Sequence, residues 1–267
     1  MISNLAVLPI LIPLIAGVLA VLFHKRLKFV RIYAQVVTLI NTAVVTYILY
    51  YVHQNGSVIL EAGDWVAPFG IVLVGDMLSM SLVLTTNIVA IACVFYAPQS
   101  LSQKKEEFYF YTFYFLLITG VSGAFITGDL FNLFVFFEVL LMASYGLIVL
   151  GGEKVQLRES LKYVLINLFS SMLFVTTIAF LYSVVGTVNM AQIAERVRES
   201  EQTGILTTIG ILLFFVFGTK AALFPLYYWL PRPYITPDPV ISALFGGFIN
   251  ESRNLFPAKS LLSHFRS

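Results

Sequence analysis

Residues 214–231 read FFVFGTKAALFPLYYWLP and place a lysine, Lys220, and a proline, Pro225, inside an otherwise apolar run. A helix over residues 205–230 has about the length needed to cross a bilayer. It would put Lys220 near its middle, where an ammonium group is costly to desolvate. Because Pro225 lacks a backbone donor and clashes with the preceding turn, the helix is expected to kink or unwind beside the lysine. A charge beside a broken helix is typical of an ion pathway.

The composition indicates an integral membrane protein. Of the 267 residues, 59% are hydrophobic and only 11% are charged, whereas soluble domains carry roughly 25% charged residues. The net charge of +2 is too small to indicate nucleic-acid binding. The single cysteine, Cys93, excludes an intramolecular disulfide and a thiolate metal site. The three histidines share no spacing typical of metal ligands, so we expect no metal and no cofactor.

Seven apolar stretches are long enough to be transmembrane helices. They cover residues 5–23, 29–52, 71–97, 108–127, 130–150, 161–185 and 205–230. The run at 239–249 begins like an eighth span but turns polar at residues 250–253, after too few residues to cross. The predicted fold class is therefore all-α, with about seven transmembrane helices, a broken seventh helix and a partial eighth. Residues 5–23 lack a basic region before them and a small-residue cleavage site after them, so we interpret them as a retained first span.

The basic residues of the loops predict the orientation in the membrane. If the seven spans alternate in direction, only Arg196 and Arg198 fall on one side, and ten basic residues fall on the other. Positive loops stay in the cytoplasm, so the N-terminus is expected outside a bacterial inner membrane. The ten cytoplasmic residues are Lys25, Arg26, Lys28, Arg31, Lys104, Lys105, Lys154, Arg158, Lys162 and Arg232.

Two outer loops have recognisable patterns. Residues 53–70 are rich in turn formers and contain the alternating segment Val58-Ile59-Leu60, which favours a short hairpin over the bundle. In residues 190–199, apolar and charged side chains alternate at helical spacing, which predicts an amphipathic surface helix with a structural role.

At the cytoplasmic side, FYFYTFYF at residues 108–115 is more typical of an interfacial aromatic belt than of a cofactor site.

Four ionisable residues lie within or at the rim of the predicted spans: Asp76, Asp129, Glu138 and Lys220. Glu138 is about 12 Å along the fifth span by helix geometry. If it faces Lys220, each favours the charged form of the other, and withdrawing the lysine's charge would increase the carboxylate's affinity for a proton. A buried structural salt bridge is the alternative. Asp129 is placed to cap the fifth span. Asp76, about five residues into the third span, either lines an access path or caps a helix.

Three motifs resemble the antiporter-like subunits shared by Mrp-type sodium/proton antiporters and the membrane arm of respiratory complex I. They are GDLFNLFVFFE at 128–138, FGTKAALFPLYYWLP at 217–231 and PDPVISALFGG at 237–247. The resemblance covers about residues 1–247 and is greatest to the D-type branch of the Mrp antiporters, in which a tyrosine such as Tyr228 stands where many relatives have histidine. In this family the glutamate and the lysine form the proton-transfer pair, which implies that role for Glu138 and Lys220.

The resemblance implies a subunit of a multisubunit Na⁺/H⁺ antiporter, a transporter and not an enzyme. Its partners would be the other antiporter subunits, protons, Na⁺ or another monovalent cation, and the lipid bilayer. Family members continue into an inverted repeat of spans, so residues 1–247 would be the first part of that bundle. Residues 248–267 resemble no part of the family, as expected after a frameshift or a premature stop; a native short tail is the alternative. A proton-pumping module of complex I or a hydrogenase, and a non-transporting scaffold fragment, remain open as functions.

Overall fold

The chain forms a bundle of long helices in the computed structural model, which describes residues 3–199 and 203–249. A short 3-10 helix at Ser3–Val7 leads into the first of them. Of the predicted tail at 248–267, all but the first two residues lie outside the described residues. The helices are α1 (Leu8–Phe23), α2 (Leu27–Asn55), α3 (Met77–Ser100), α4 (Gln103–Glu107), α5 (Phe110–Ile126), α6 (Leu130–Val149), α7 (Lys154–Val185), α8 (Met190–Glu199), α9 (Thr203–Lys220), α10 (Pro231–Ile235) and α11 (Pro239–Leu244), followed by a π-helical turn at Phe245–Ile249.

Five helices in the described part of the chain are long and apolar enough to cross a membrane. They are Asn4–Phe23, Leu27–Asn55, Met77–Ser100, Leu130–Val149 and Lys154–Val185. Two further apolar helices, Phe110–Ile126 and Gly204–Lys220, are shorter. The prediction of an all-helical membrane protein is confirmed at this level. α8 also forms where the amphipathic pattern predicted it.

A two-stranded hairpin joins the loops at one end of the bundle. β1 (Val58–Glu61) and β2 (Val72–Gly75) are antiparallel, with Val58 opposite Gly75. The hairpin prediction is confirmed, but the prediction of a third span from residue 71 is wrong, because the apolar residues of β2 precede the helix. Leu73 also pairs with Thr127, and Asp129 pairs with Asn189. The loops before α3, α6 and α8 therefore meet at this hairpin end.

Salt bridges mark the opposite end of the bundle. Arg31 binds Glu106, Lys105 binds Asp238 and Arg232 binds Glu159. These contacts gather basic residues that the sequence assigned to one side of the membrane, here called the basic end. The sixth predicted span was drawn too short, since α7 begins at Lys154 and not at residue 161. Its first turns carry the exposed residues Lys154 and Arg158.

α5 forms the centre of the bundle. It packs against α1, α3 and α6, and nearly all of its residues are buried. Its close approach to α6 depends on glycine, because a Cβ at Gly120 would lie 2.7 Å from the backbone nitrogen of Leu140. The predicted aromatic belt is only partly correct: Phe108 and Tyr109 are exposed, whereas the following aromatic residues Phe110, Tyr111, Tyr114 and Phe115 are buried in the core.

Candidate functional site

α9 ends at Lys220, where the chain leaves the helix for a series of turns. The predicted break beside the lysine is confirmed, but the predicted helix to residue 230 is wrong: Lys220 lies in the last turn and not at mid-helix. Ala222 has a positive φ of 53°, which takes the backbone out of the helical path. Pro225 follows within the turns and cannot donate a backbone hydrogen bond.

Trp229 holds the turns against the end of the helix. Its indole Nε1 donates a 3.0 Å hydrogen bond to the carbonyl oxygen of Thr219. The last carbonyls of a helix lack partners within the helix, so this bond satisfies one of them in a buried place. Trp229 also packs on the ring of Tyr163 in α7, with the ring centroids 5.4 Å apart. Trp229 is therefore part of the bundle interior, whereas Pro231 at the end of the WLP segment is exposed.

Lys220 is buried, with only 2% of its surface exposed. Its Nζ donates a 3.1 Å hydrogen bond to Ser171 Oγ, on a residue about halfway along α7. The same Nζ lies 5.4 Å from the centroid of the Phe137 ring in α6, a distance at which an ammonium is attracted to the face of an aromatic ring. Three helices thus meet around the ammonium group. Burying such a charge is costly unless other groups compensate it. The buried ammonium and its contacts therefore mark a candidate functional site.

Glu138 follows Phe137 in α6 and is half-buried. Its Oε1 is buried and accepts no hydrogen bond from the described residues. Within the same part of the chain, Glu138 also takes part in no salt bridge. The structure therefore brings α6 against Lys220 at Phe137, with an unsatisfied carboxylate oxygen on the next residue. A buried acceptor without a partner is costly and is a place where a proton or water can bind.

The surroundings of Lys220 differ between the two ends of the bundle. Toward the hairpin end, α6, α7 and α9 close on an apolar cluster that includes Phe137, Phe174 and Phe217, with Phe174 and Phe217 5.2 Å apart. Toward the basic end, two buried hydroxyl groups meet: Ser144 Oγ lies 3.1 Å from Tyr163 OH. Lys220 lies at the end of α9, next to the apolar cluster.

Asp129 and Asp76 both cap helices. Asp129 Oδ1 accepts a 2.8 Å hydrogen bond from the backbone nitrogen of Asn132 at the start of α6, which confirms the predicted cap. Burial raises the pKa of the Asp129 carboxyl, and the hydrogen bonds from the amides of Asn132 and Phe131 oppose that shift. Asp76 Oδ1 accepts a 2.6 Å bond from the amide of Ser79. It precedes α3, so its predicted position five residues inside a span is wrong.

The sequence interpretation missed the polar residues of α7 that face the site. Tyr163, Asn167 and Ser171 recur every four residues, a spacing that places them on one helix face. All three are buried, and Asn167 donates a 2.8 Å hydrogen bond to the Tyr163 carbonyl oxygen. The sequence could have indicated them, because they form a polar stripe in an otherwise apolar span. Trp229 carried no comparable signal, because its hydrogen bond depends on how the chain turns after α9.

Comparison with known proteins relates this chain to a family of membrane subunits. Residues 127–252 match the family described as NADH:quinone oxidoreductase/Mrp antiporter, TM. Over 93% of its length the chain is 52% identical to a D-type Na⁺/H⁺ antiporter subunit of Alkalihalophilus pseudofirmus, of which it covers 50%. The chain therefore spans about half the length of the curated relatives it matches.

Two solved structures share the fold. A chain of the Mrp complex from Dietzia sp. superimposes with a TM-score of 0.85 at 29% identity, over 94% of this chain and 47% of that chain. A chain of the membrane-bound sulfane sulfur reductase, an archaeal respiratory membrane complex, superimposes with a TM-score of 0.89 at 25% identity, over 98% of this chain and 53% of that chain. The helix arrangement is thus shared by an antiporter complex and a respiratory complex.

Proposed function

We propose that this chain is a membrane subunit of a multisubunit Na⁺/H⁺ antiporter, because residues 127–252 match the family described as NADH:quinone oxidoreductase/Mrp antiporter, TM. In this proposal it transfers protons through Glu138 and Lys220. The observation that carries it is the burial of Lys220 at the break of α9 and its contact with Phe137, the residue before Glu138, whose Oε1 has no hydrogen-bond partner among the described residues. The similarity to a relative named as part of a Na⁺/H⁺ antiporter supports the cation.

The proposed chemistry is an electrostatic switch. An ammonium group near Glu138 favours its carboxylate form, and withdrawal of that charge favours the protonated carboxylic acid. Movement of the Lys220 side chain from Ser171 toward another acceptor would then cause Glu138 to take up a proton, and its return would release the proton. Ser171 and the Phe137 ring are among the contacts that hold the lysine in the state described here.

The site has features that suit such a switch. Lys220 is the last residue of α9 and is followed by turns, so a shift of its side chain needs no movement of the whole helix. The aromatic residues of α6, α7 and α9 form a buried apolar cluster toward the hairpin end, which would oppose a proton leak past Lys220. The polar residues of α7 offer hydrogen-bonding groups toward the basic end. Asp76 and Asp129 contribute as caps that position α3 and α6.

In the proposed assembly, seven spans and the start of an eighth cross a bacterial cell membrane, with the N-terminus outside. The hairpin end would face outward and the basic end would face the cytoplasm, in accordance with the positive-inside rule. The partners would be the other subunits of the antiporter and the surrounding lipid, and the transported ions would be protons and Na⁺ or another monovalent cation.

A second candidate is a proton-pumping module of a respiratory complex, favoured by the TM-score of 0.89 with the sulfane sulfur reductase chain. The same Glu138 and Lys220 would serve in it. Sodium dependence separates the two candidates, because an antiporter requires the cation gradient and a redox-driven module requires an electron donor. A third candidate, a non-transporting scaffold, predicts no ion movement with the chain present.

The test is sodium-dependent proton movement in everted vesicles that contain the chain assembled with its partner subunits. We expect Glu138→Gln and Lys220→Ala to abolish the signal while assembly is unchanged. Matched controls are Glu195→Gln and Lys154→Ala, which remove the same charges at exposed positions. Near-normal exchange in either site variant would refute the switch. Proton movement driven only by an electron donor would favour the respiratory module, and no movement in the parental assembly would favour the scaffold.

A further inference from the structure

The turn between α1 and α2 forms a cavity with α4 at the basic end of the bundle. Its volume is about 470 Å³. Four basic residues line it, Lys25, Arg26, Lys28 and Arg31, together with the carboxylate of Glu107. None of these residues takes part in the site around Lys220. The cavity is thus a second concentration of charge, and the proposed proton transfer does not explain it.

The cations of this cavity differ in how they are held. Arg31 binds Glu106 through two bonds, at 2.9 Å from Nε and 2.7 Å from Nη2, and Tyr111 OH donates a third bond to the same carboxylate. The Arg31 side chain is therefore held in place, and the Glu106 carboxylate neutralises its charge. Lys25, Arg26 and Lys28 are exposed and make no salt bridge within the described residues. Three exposed cations against the one carboxylate of Glu107 leave a net positive cavity that an oxyanion would fill.

The apolar surface beside the cavity indicates which kind of oxyanion would bind there. Large apolar side chains beside it are exposed: Leu22 at 71%, Ile32 at 62% and Phe108 at 64%. Phe29, which lines the cavity, is 50% exposed. Such a band of apolar surface beside a basic pocket is the boundary between hydrocarbon and headgroups. A ligand that fills the cavity and covers this band must be anionic at one end and apolar at the other.

We propose that this cavity binds the phosphodiester headgroup of an anionic phospholipid, with its acyl chains against the exposed faces of α1 and α2. Basic pockets at the cytoplasmic ends of membrane helices recognise such headgroups. The first turn of α2 has no side-chain cap, so its amides add to the positive field. Gln103 adds an uncharged donor from the α4 side. A bound lipid would bridge the α1–α2 turn and α4.

The experiment uses the purified 267-residue chain in detergent with equal amounts of phosphatidylglycerol and phosphatidylcholine, and native mass spectrometry to measure the lipid retained. The test variant is Lys25→Gln/Arg26→Gln/Lys28→Gln. The matched control is Lys104→Gln/Lys154→Gln/Arg158→Gln, which removes the same charge from exposed positions at the same end outside the cavity. We expect the test variant to lose its preference for phosphatidylglycerol by about tenfold or more and the control to stay within about twofold of the parent.

Size-exclusion chromatography verifies that each variant is folded, and Lys28→Glu alone replaces the triple variant if that one aggregates. Equal losses in the test and control variants would overturn the proposal, because they would mean attraction by surface charge in general. A separate arm adds inorganic phosphate without lipid. Displacement of phosphatidylglycerol by inorganic phosphate, with the same dependence on the three residues, would make free phosphate the ligand and would overturn the assignment to lipid.

Discussion

At the scale of single residues, the hydroxyl of Ser171 helps to position the ammonium group of Lys220. The 3.1 Å bond between them joins residues on two different helices, and a hydrogen bond to a charged group contributes about 1.5–3 kcal/mol. Phe137 provides a softer contact through its ring. The Ser171 hydroxyl and the Phe137 ring therefore both help to position the lysine, and a change in either alters the proton affinity of Glu138 in the proposed switch.

Replacing Ser171 should show whether its hydroxyl positions Lys220 for proton transfer. In Ser171→Ala the ammonium loses this acceptor, so we expect sodium-dependent proton movement to slow by about tenfold, which corresponds to roughly 1.4 kcal/mol. Ser171→Thr keeps the hydroxyl and should stay near the parental rate. Proton uptake by everted vesicles measures both, with Thr176→Ala as an exposed control on the same helix. A parental rate in Ser171→Ala would show that the hydroxyl does not position the lysine for transfer.

A second prediction concerns Asp129 as a helix cap. In Asp129→Ala the amide of Asn132 loses its acceptor, which should lower the free energy of unfolding by about 1 kcal/mol. Asp129→Asn keeps an acceptor oxygen and should lose much less. Unfolding in detergent followed by circular dichroism provides the comparison. If Asp129→Asn instead keeps its stability but stops proton movement, the carboxylate has an ionic role beyond capping.

At the scale of elements, the contact between α5 and α6 fixes the position of Glu138. Gly120 lies where a Cβ would reach the α6 backbone, and Gly123 lies under Phe136 of the same helix. Small residues let two helices approach closely in a membrane, where van der Waals packing replaces the hydrophobic drive. The register of α6 beside α7 and α9 therefore depends on glycines in a helix that carries no functional side chain of its own.

Gly120→Ala should test this contact. The added methyl group has to displace the backbone at Leu140, so we expect a loss of about 1–3 kcal/mol in the free energy of unfolding. Gly210→Ala in α9 is the matched control, because nothing lies within 4 Å of its added Cβ and alanine is the better helix former. Thermal unfolding in detergent measures both variants. Equal stability of the two would contradict the close-packing account.

At the scale of the whole molecule, the two ends of the bundle differ in chemistry. The hairpin end joins the loops before α3, α6 and α8 through backbone pairs. At the basic end, salt bridges link the helices. In the pair Arg31–Glu106 the carboxylate is fully buried. Charged side chains at one end and a backbone-paired cover at the other support the proposed orientation, in which the basic end faces the cytoplasm.

Cysteine labelling should establish this orientation. Asn55 is exposed at the hairpin end, and Gln103 is exposed at the basic end. We expect Asn55→Cys to react with a membrane-impermeant maleimide added to intact cells, and Gln103→Cys to react only after the cells are opened. Background should be low, since Cys93 is the sole native cysteine and is buried. The reverse labelling pattern would overturn the assignment of the basic end to the cytoplasm.

Element boundaries were harder to predict than element types. Residues 72–75 read VLVG and continue almost without interruption into the apolar run of α3, so hydropathy alone merged a strand with a helix and misplaced Asp76. The polar first turns of α7 hid the true start of that helix at Lys154. The end of α9 was also missed, because the residues after Lys220 are as apolar as those before it.

The sequence by itself determined the membrane class, the break beside Lys220, the cap at Asp129 and the grouping of basic residues at one end. These depend on composition, local backbone chemistry and the alternation of spans, all of which act over short stretches of chain. Only the tertiary structure decided that Lys220 meets Ser171 and Phe137, that Trp229 closes the end of α9, and that a basic cavity lies beside α4. Each of these joins residues from different elements, and their contacts depend on the packing distance and rotation of whole helices, which no local pattern specifies.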